Sequence, residues 1–128
     1  MSERRHEGFL PGVHQIEGYG AGGFRFGGMS HRGSIIATPS GVQAIAAFRV
    51  EELDAQTLAP LFAEPAGAVQ LVVLGTGGSL LLPPRALREA LRAAGMGVDP
   101  MATGHAVATY NILASEGRKV AAVLLASP

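Results

Sequence analysis

Three apolar runs decide the fold of this chain: VQLVVLGTGG at residues 69–78, GVDPM at 97–101 and KVAAVLL at 119–125. The two segments between them repeat their apolar residues at helical spacing. The first run lies between Gly67 and Gly75 and predicts a strand that is buried on both faces. The order of these elements predicts an α/β fold with a β-α-β-α-β C-terminal half.

The first helical segment, PRALREALRAAG at residues 84–95, places Leu87 and Leu91 on one apolar stripe. Gly95 suits the position just beyond the helix end, where the backbone often turns left-handed. The arginines and the glutamate lie off the stripe. We interpret them as a solvated surface, with a ligand-binding face as the alternative.

The second helical segment follows GVDPM. Thr103 is a candidate N-cap, because its hydroxyl can accept a hydrogen bond from an amide of the first turn. We expect the helix over residues 104–115, with Tyr110 on its buried side and Gly117 ending it. Asn111 falls in mid-helix, where Asn is locally unfavourable, so we expect its side chain to bond the backbone of a neighbouring loop.

Upstream of residue 69, the sequence predicts short antiparallel strands that join the same sheet. The sheet is therefore expected to be mixed, because it would contain both parallel and antiparallel strands. Residues 16–19 and 24–26 alternate apolar and polar side chains within a glycine-rich stretch, as strands do. Residues 1–11 show no period. We expect them to form a flexible N-terminal arm or a lead-in to a strand.

A hairpin and a short helix are expected between these strands and residue 69. The hairpin arms are residues 35–38 and 42–48, connected by Pro39-Ser40-Gly41. Both arms carry neighbouring apolar residues, so we expect both faces of the hairpin to be covered. Asp54 is a candidate N-cap for the helix, and Pro65 ends it.

The composition limits the function. With 128 residues, 48% of them apolar, the chain suffices for a single domain over residues 1–128 with its own core. Ten basic residues balance ten acidic ones without a charged block, which disfavours nucleic-acid binding. Cysteine is absent, which excludes disulfides, and the histidine spacing predicts no metal site. No apolar run approaches the roughly 18 residues of a membrane-spanning helix, so we expect a soluble, cytoplasmic protein.

Two loops that follow predicted parallel strands form the candidate site. In an open parallel sheet, ligands bind beyond the carboxyl ends of the strands. The residues at that edge are Gly75, Thr76 and Gly77 after the first strand, and Thr103, Gly104 and His105 after the second. The second loop opens a helix, whose free amides and positive dipole end favour a carboxylate or a phosphate. The sequence therefore predicts an anion pocket between the two loops.

Each part of this pocket also has a purely structural interpretation. The glycines allow tight turns, and Thr103 caps a helix in either case. GTGGSL has Leu80 where a dinucleotide fingerprint carries its third glycine, which disfavours a Rossmann cofactor. We interpret His105 first as a surface or packed residue and second as a base. No GxSxG motif occurs, and adjacency in sequence does not make Ser30 and His31 a catalytic pair, so no catalytic residue or cofactor is predicted.

Five segments, in this order and spacing, carry a resemblance to a known family. They are GYGAGGFRFGG at 18–28, GSIIATPSGV at 33–42, VVLGTGGSLLLPP at 72–84, LREALRAAGMGVDPMATGHA at 87–106 and TYNILASEGRKVAAVLL at 109–125. Together they resemble the Mth938-like family, also called DUF498 or DUF598. The resemblance implies a three-layer α/β fold around a central mixed sheet. It also implies kinship with a mitochondrial assembly factor for respiratory complex I, and it brings no established enzymatic activity or cofactor.

One segment departs from the family pattern. Family members often read MDTGAACRTYN where this chain reads MATGHAVATYN at residues 101–111. Ala102, Val107 and Ala108 thus replace an acid, a cysteine and an arginine. Any chemistry that those polar groups carry in the family is expected to be absent from this chain.

The leading hypothesis is a non-catalytic binding or assembly module that docks another protein, such as a subunit of a respiratory or other membrane complex, through an apolar surface. It rests on the family resemblance and on the lack of a nucleophile, metal or cofactor set in the sequence. The alternative is a small-anion-binding protein or an enzyme that uses the pocket between residues 75–77 and 103–105. An enzyme is less favoured than a non-catalytic protein.

Overall fold

The computed structural model describes residues 4–5 and 8–127. The strands within these residues are β1 (Arg4–Arg5), β2 (Phe9–Pro11), β3 (Ile16–Gly20), β4 (Gly23–Phe26), β5 (Met29–Arg32), β6 (Ile35–Thr38), β7 (Gly41–Ala44), β8 (Leu71–Gly75), β9 (Gly97–Met101) and β10 (Val120–Leu124). The α-helices are α1 (Ala59–Ala63), α2 (Arg85–Ala93) and α3 (Thr103–Ser115), and a 3-10 turn covers Val50–Glu52.

The larger of two sheets contains six strands in the order β2-β7-β6-β10-β8-β9. β10, β8 and β9 pair in parallel, whereas β6, β7 and β2 pair antiparallel. The predicted central mixed sheet with a β-α-β-α-β C-terminal half is confirmed. β9 lies at an edge of this sheet, a position that tolerates Pro100 because proline has no amide hydrogen for the ladder.

The strand order explains why the two longer helices lie on opposite faces of this sheet. From β8 the chain crosses in one direction to β9, and from β9 it crosses back past β8 to β10. Because such parallel crossovers are right-handed, a reversal of direction moves the connecting helix to the other face. Alternate residues of β8 face different helices: Val72 and Leu74 share a core cluster with Leu87 of α2, and Val73 shares one with Tyr110 of α3.

A second sheet of four strands, in the order β1-β5-β4-β3, packs in the layer of α3. The prediction that all N-terminal strands join one sheet is therefore wrong for these strands. Phe24 and Phe26 lie two residues apart on β4, so both side chains point inward to the α3 cluster. Gly27 and Gly28, which have positive φ, turn the chain into β5. β5 was not predicted, because His31 is its one buried side chain and gives no apolar alternation.

The hairpin of β6 and β7 has a tighter turn than predicted. Gly41 pairs with Thr38, so only residues 39–40 make the connection. The ring of Phe9 lies against Gly41, and a Cβ there would approach it to 2.5 Å, which is why this strand begins with glycine. β7 ends at Ala44 instead of continuing to residue 48. All four residues of β6 are buried, as expected for a strand that is covered on both faces.

The starts of two helices also differ from prediction. The carboxylate of Asp54 accepts the Thr57 amide at 2.7 Å and closes a turn, and α1 begins only after that turn. Pro60 fixes this start, because proline fits the first helical turn and not the helix interior. The fixed φ of Pro84 predicts it at the first helical position of α2, but it occupies the N-cap position one residue earlier. The end of α2 follows the prediction, since Gly95 has a φ of 79°.

The segment predicted as an arm or a strand lead-in is partly in strands. Phe9–Pro11 pairs antiparallel with β7, and Arg4–Arg5 pairs parallel with β5. Residues 1–3, 6–7 and 128 lie outside the described part of the chain. Within the described ranges, no helix is both long and apolar enough to cross a membrane.

Candidate functional site

The two predicted site loops meet at the carboxyl edge of the parallel strands, because β8 and β9 are neighbours. The Thr76 amide donates to the carbonyl of Met101 at 2.9 Å, and the Thr103 amide donates to the carbonyl of Gly77 at 2.8 Å. Gly77, Thr103, Gly104 and His105 line an open depression of about 400 Å³. The predicted juxtaposition of the loops is thus present, and Gly75 and Thr76 directly precede Gly77 in the first loop.

The hydroxyl of Thr103 holds the main chain and does not cap α3. It donates to the carbonyl of Leu125 at 3.0 Å and accepts from the amide of Gly77 at 2.8 Å. The helix begins at Thr103 itself, and Ala102 occupies the N-cap without a side-chain hydrogen bond. The N-cap prediction for Thr103 is wrong, because its hydroxyl is turned to the last strand and the first loop instead of to its own helix.

The hydroxyl of Thr76 is likewise bonded to main-chain groups. It accepts from the Leu81 amide at 3.0 Å and lies 2.6 Å from the carbonyl of Ser79 and 3.1 Å from that of Met101. A hydroxyl has one proton, so the shorter distance indicates donation to Ser79. Thr76 therefore shapes the loop that carries residues 80–82 and is not a free nucleophile.

Two glycines of the site permit close approach. A Cβ on Gly75 would lie 3.0 Å from the Cα of Thr103 and 3.1 Å from the Cβ of Ala106, so glycine lets α3 pack directly on the end of β8. A Cβ on Gly104 would collide with the hydroxyl of Tyr19, which projects from β3 over the start of α3. Tyr19 also lines the depression, and sequence reasoning had not included it.

Two donors of the site remain available. Among the described residues, the amides of Gly104 and His105 have no backbone or side-chain acceptor. Located at the N-terminus of α3, they can hold a small anion. No group of three histidine, aspartate or glutamate side chains suited to a metal occurs in the part of the chain that the structure describes.

An exposed hydrophobic surface lies at the same end of the sheet. Leu80, Leu81 and Leu82 follow β8 and are 57%, 44% and 65% exposed, and Phe48, in the loop after β7, is 64% exposed. We call these four residues the apolar end. Leu81 and Leu82 line a hollow of about 500 Å³ with Val50, shortly after Phe48. The sequence signal was three consecutive leucines before two prolines, a run too short for a buried element.

A carboxylate fixes the loop that presents Phe48. Oε1 of Glu52 accepts the amides of Phe48 and Arg49, both at 2.9 Å. These two backbone hydrogen bonds lower the pKa of Glu52 from its usual value, because they stabilise the charged form. Two hydrogen bonds therefore fix the backbone of the loop from which the Phe48 side chain projects.

Asn111 joins the second sheet to α3. Its Oδ1 accepts the amide of Ile16 at 2.8 Å, and its Nδ2 donates to the carbonyl of Ile16 at 2.9 Å. Nε2 of Gln15 donates to the carbonyl of Asn111 at 3.1 Å. The Asn111 side chain thus bonds backbone as predicted, but the backbone belongs to the first residue of strand β3 instead of to a loop.

Known proteins are similar to this chain over most of its length. Residues 16–125 match the model of a family described as a protein of unknown function (DUF498/DUF598). An uncharacterised protein of Rhodobacter capsulatus is 40% identical over 124 residues, which are 97% of this chain and 93% of that protein.

Solved structures extend the similarity to three dimensions. The crystal structure described as an outer membrane protein from Bartonella henselae is 40% identical and superposes with a TM-score of 0.86, covering 93% of this chain and 99% of that one. The solution structure of a Bordetella pertussis protein described as a Mth938-like domain is 25% identical with a TM-score of 0.73, covering 95% and 91%. With its sequence and its fold both matched over most of their length, the chain belongs to the DUF498/DUF598 family of Mth938-like proteins.

Proposed function

We propose that this protein is a non-catalytic docking module that binds a membrane-associated protein through its apolar end, as a helper in the assembly of a membrane complex. The exposure of Leu80, Leu81 and Leu82 carries this proposal, and Phe48 adds a fourth exposed apolar side chain at the same end of the sheet. Exposed apolar side chains that are grouped, as the three consecutive leucines are, mark interaction sites more often than the scattered ones of an ordinary surface.

The size of the apolar end supports a contribution to binding but not the whole of it. Burying a leucine or phenylalanine side chain completely stabilises a complex by roughly 1.5–3 kcal/mol. The four side chains are about half exposed, so covering them gives roughly 5 kcal/mol in total before the costs of association. Stable docking therefore needs further contacts around the rim, where Arg49 and Glu51 form an exposed ion pair.

One relative supports a membrane-associated partner in this proposal. The Bartonella henselae relative is described as an outer membrane protein. Within the described residues of this chain, no helix can cross a membrane. Attachment through a membrane-associated partner accounts for both observations. The cytoplasmic localisation expected from the sequence stays a prediction, which fractionation of cells tests directly.

Membrane co-sedimentation tests the proposal. Membranes of the source organism should retain the wild-type protein, and the double variant Leu80→Ser with Leu82→Ser should bind at least about tenfold more weakly. Ile112→Ser is the matched control, because Ile112 is 59% exposed on α3, outside the apolar end. Equal retention of the double variant and the control would contradict the proposal. Undiminished binding to liposomes made only from the extracted lipids would contradict a protein partner.

A second function, small-anion binding, is favoured by the free amides of Gly104 and His105 beside the depression. An anion held there at 100 times its dissociation constant stabilises the fold by about 2.7 kcal/mol. Thermal-shift measurements with phosphate, nucleotides and small carboxylates test this function. If no compound raises Tm, the anion-binding function is rejected, and the docking proposal is not affected.

A further inference from the structure

The outer edge of β9 in the larger sheet pairs with no strand among the described residues. Within β9, the Gly97 amide donates to the carbonyl of Gln70, and the carbonyl of Met101 accepts from Thr76, both at 2.9 Å. In a parallel ladder, alternate residues bond to the same neighbour. Gly97 and Met101 thus bond inward to β8, and the backbone groups of Val98 and Pro100 point outward.

Pro100 limits what can pair with this edge. Proline has no amide hydrogen, so the outward groups are the amide and carbonyl of Val98 and the carbonyl of Pro100. These groups suit a short extended segment, whereas a long strand would leave its own groups unpaired opposite Pro100. Proline at an edge is one of the means by which proteins prevent indiscriminate strand addition.

Two arginines lie beside this edge. Arg88 and Arg92 of α2 line a groove of about 470 Å³ together with Gly95, Gly97 and Val98. Both arginines are exposed, and among residues 4–5 and 8–127 neither forms an ion pair. The two glycines leave the groove floor without side chains, so an extended backbone can approach closely.

The two faces of β9 differ in charge. Val98 packs with the cluster on the α2 side, whereas Met101 packs with the cluster on the α3 side. Asp99 shares the α3 side with Met101, because side chains alternate along a strand. An incoming strand would thus place every second side chain beside Arg88 and Arg92, and the others near Asp99.

A second copy of the chain is a poor occupant. Two β9 strands paired antiparallel around a two-fold axis would bring both α2 helices to the same face of the joined sheet. Arg88 and Arg92 of one copy would then lie near the same two residues of the other. Like charges placed together in this way disfavour the pairing.

We propose that the β9 edge binds a short extended segment of a partner protein that carries acidic side chains at alternate positions. The backbone of the segment bonds to Val98 and Pro100, and its acidic side chains bond to Arg88 and Arg92. Strand addition of this kind derives affinity from main-chain bonds and specificity from alternate side chains. This surface is separate from the apolar end, so the proposal does not depend on the proposed function.

Amide NMR titration of the whole protein tests the inference. The probe is a short synthetic peptide with blocked ends, Glu at alternate positions and Thr between them. We expect it to shift the Gly97 and Val98 amide signals and to slow solvent exchange of the Val98 amide. Replacing the glutamates of the peptide with glutamines should weaken binding at least about tenfold. No shift at these amides, or equal binding of the glutamine peptide, would overturn the proposal.

Variants of the protein complete the test. The double variant Arg88→Glu with Arg92→Glu should lose peptide binding, whereas Arg118→Glu, at an exposed arginine beyond the end of α3, should keep it. Pro100→Ala supplies another outward donor and should tighten binding a few-fold. Unchanged binding by the double variant would overturn the inference. So would equal shifts with inorganic phosphate, which would indicate a simple anion site, or concentration-dependent dimers of the wild type through β9.

Discussion

Replacing Asn111 with alanine should lower the free energy of unfolding by about 2 kcal/mol, because this side chain holds β3 against α3. The change removes two hydrogen bonds to the backbone of Ile16. Ile16 is only 3% exposed, so water replaces those bonds poorly. Their loss costs about 1–1.5 kcal/mol each. The higher helix propensity of alanine offsets about 0.6 kcal/mol of this cost.

Calorimetry measures the effect as a change in Tm. For 128 residues, an unfolding entropy of about 2.1 cal/mol/K per residue converts 2 kcal/mol to a fall of about 7 °C. Asn111→Asp keeps the acceptor oxygen and should fall between the alanine variant and wild type. Ile112→Ala is the control, because Ile112 is exposed on the same helix. A Tm for Asn111→Ala within about 2 °C of wild type, or unchanged hydrogen exchange of the Ile16 amide, would refute the reasoning.

Three further perturbations follow from single contacts. Thr103→Val removes the hydroxyl bonded to Gly77 and Leu125 and should lower the free energy of unfolding, measured with urea, by about 2 kcal/mol. A decrease of less than about 0.5 kcal/mol would contradict this expectation. Glu52 has a lowered pKa, so its stabilisation is present at neutral pH and is lost as the pH falls from the unfolded-state pKa to the lower folded-state pKa. Glu52→Gln should flatten this acid dependence of Tm, and an unchanged slope would speak against it. Burial raises the pKa of Tyr110 above 10.0, so the unfolded state ionises first at alkaline pH and stability falls there; Tyr110→Phe should remove that component, and an identical alkaline fall in both proteins would exclude it.

The C-terminal half could be predicted because its signals are local. The spacing of Leu87 and Leu91 along α2 and the flanking glycines of the first run depend only on neighbouring sequence. The division of the strands into two sheets depends on contacts far apart in sequence, such as the bond between Asn111 and Ile16. A glycine-rich segment carries little side-chain pattern to specify its partners, so β3, β4 and β5 could not be assigned to their own sheet.

The sequence predicted which loops meet at the candidate site but not what their side chains bond. Loops that follow parallel strands lie at the same edge of a sheet, so the sequence predicted that Gly77 and Thr103 lie at one edge, and the pairing of β8 with β9 brings them together. The direction of the Thr103 hydroxyl did not follow, because a local capping rule competes with a nonlocal bond to Leu125. Tyr19 was missed for the same reason, since β3 reaches Gly104 only through the packing of the second sheet.

The departure from the family motif at residues 101–111 does not by itself remove a site. Ala102 precedes α3 at the N-cap, Val107 is buried in the core cluster on the α3 side, and Ala108 is exposed. Positions 107 and 108 are about 100° apart around the helix, so side chains at these two places leave it in different directions, one into the core and one to solvent. The hydroxyls of Thr76 and Thr103 are meanwhile bonded to main-chain groups. Thr103 of the motif thus has a structural role, because its hydroxyl holds the loop at Gly77 and the chain at Leu125. Surface variants therefore separate binding from stability better than substitutions in the motif do.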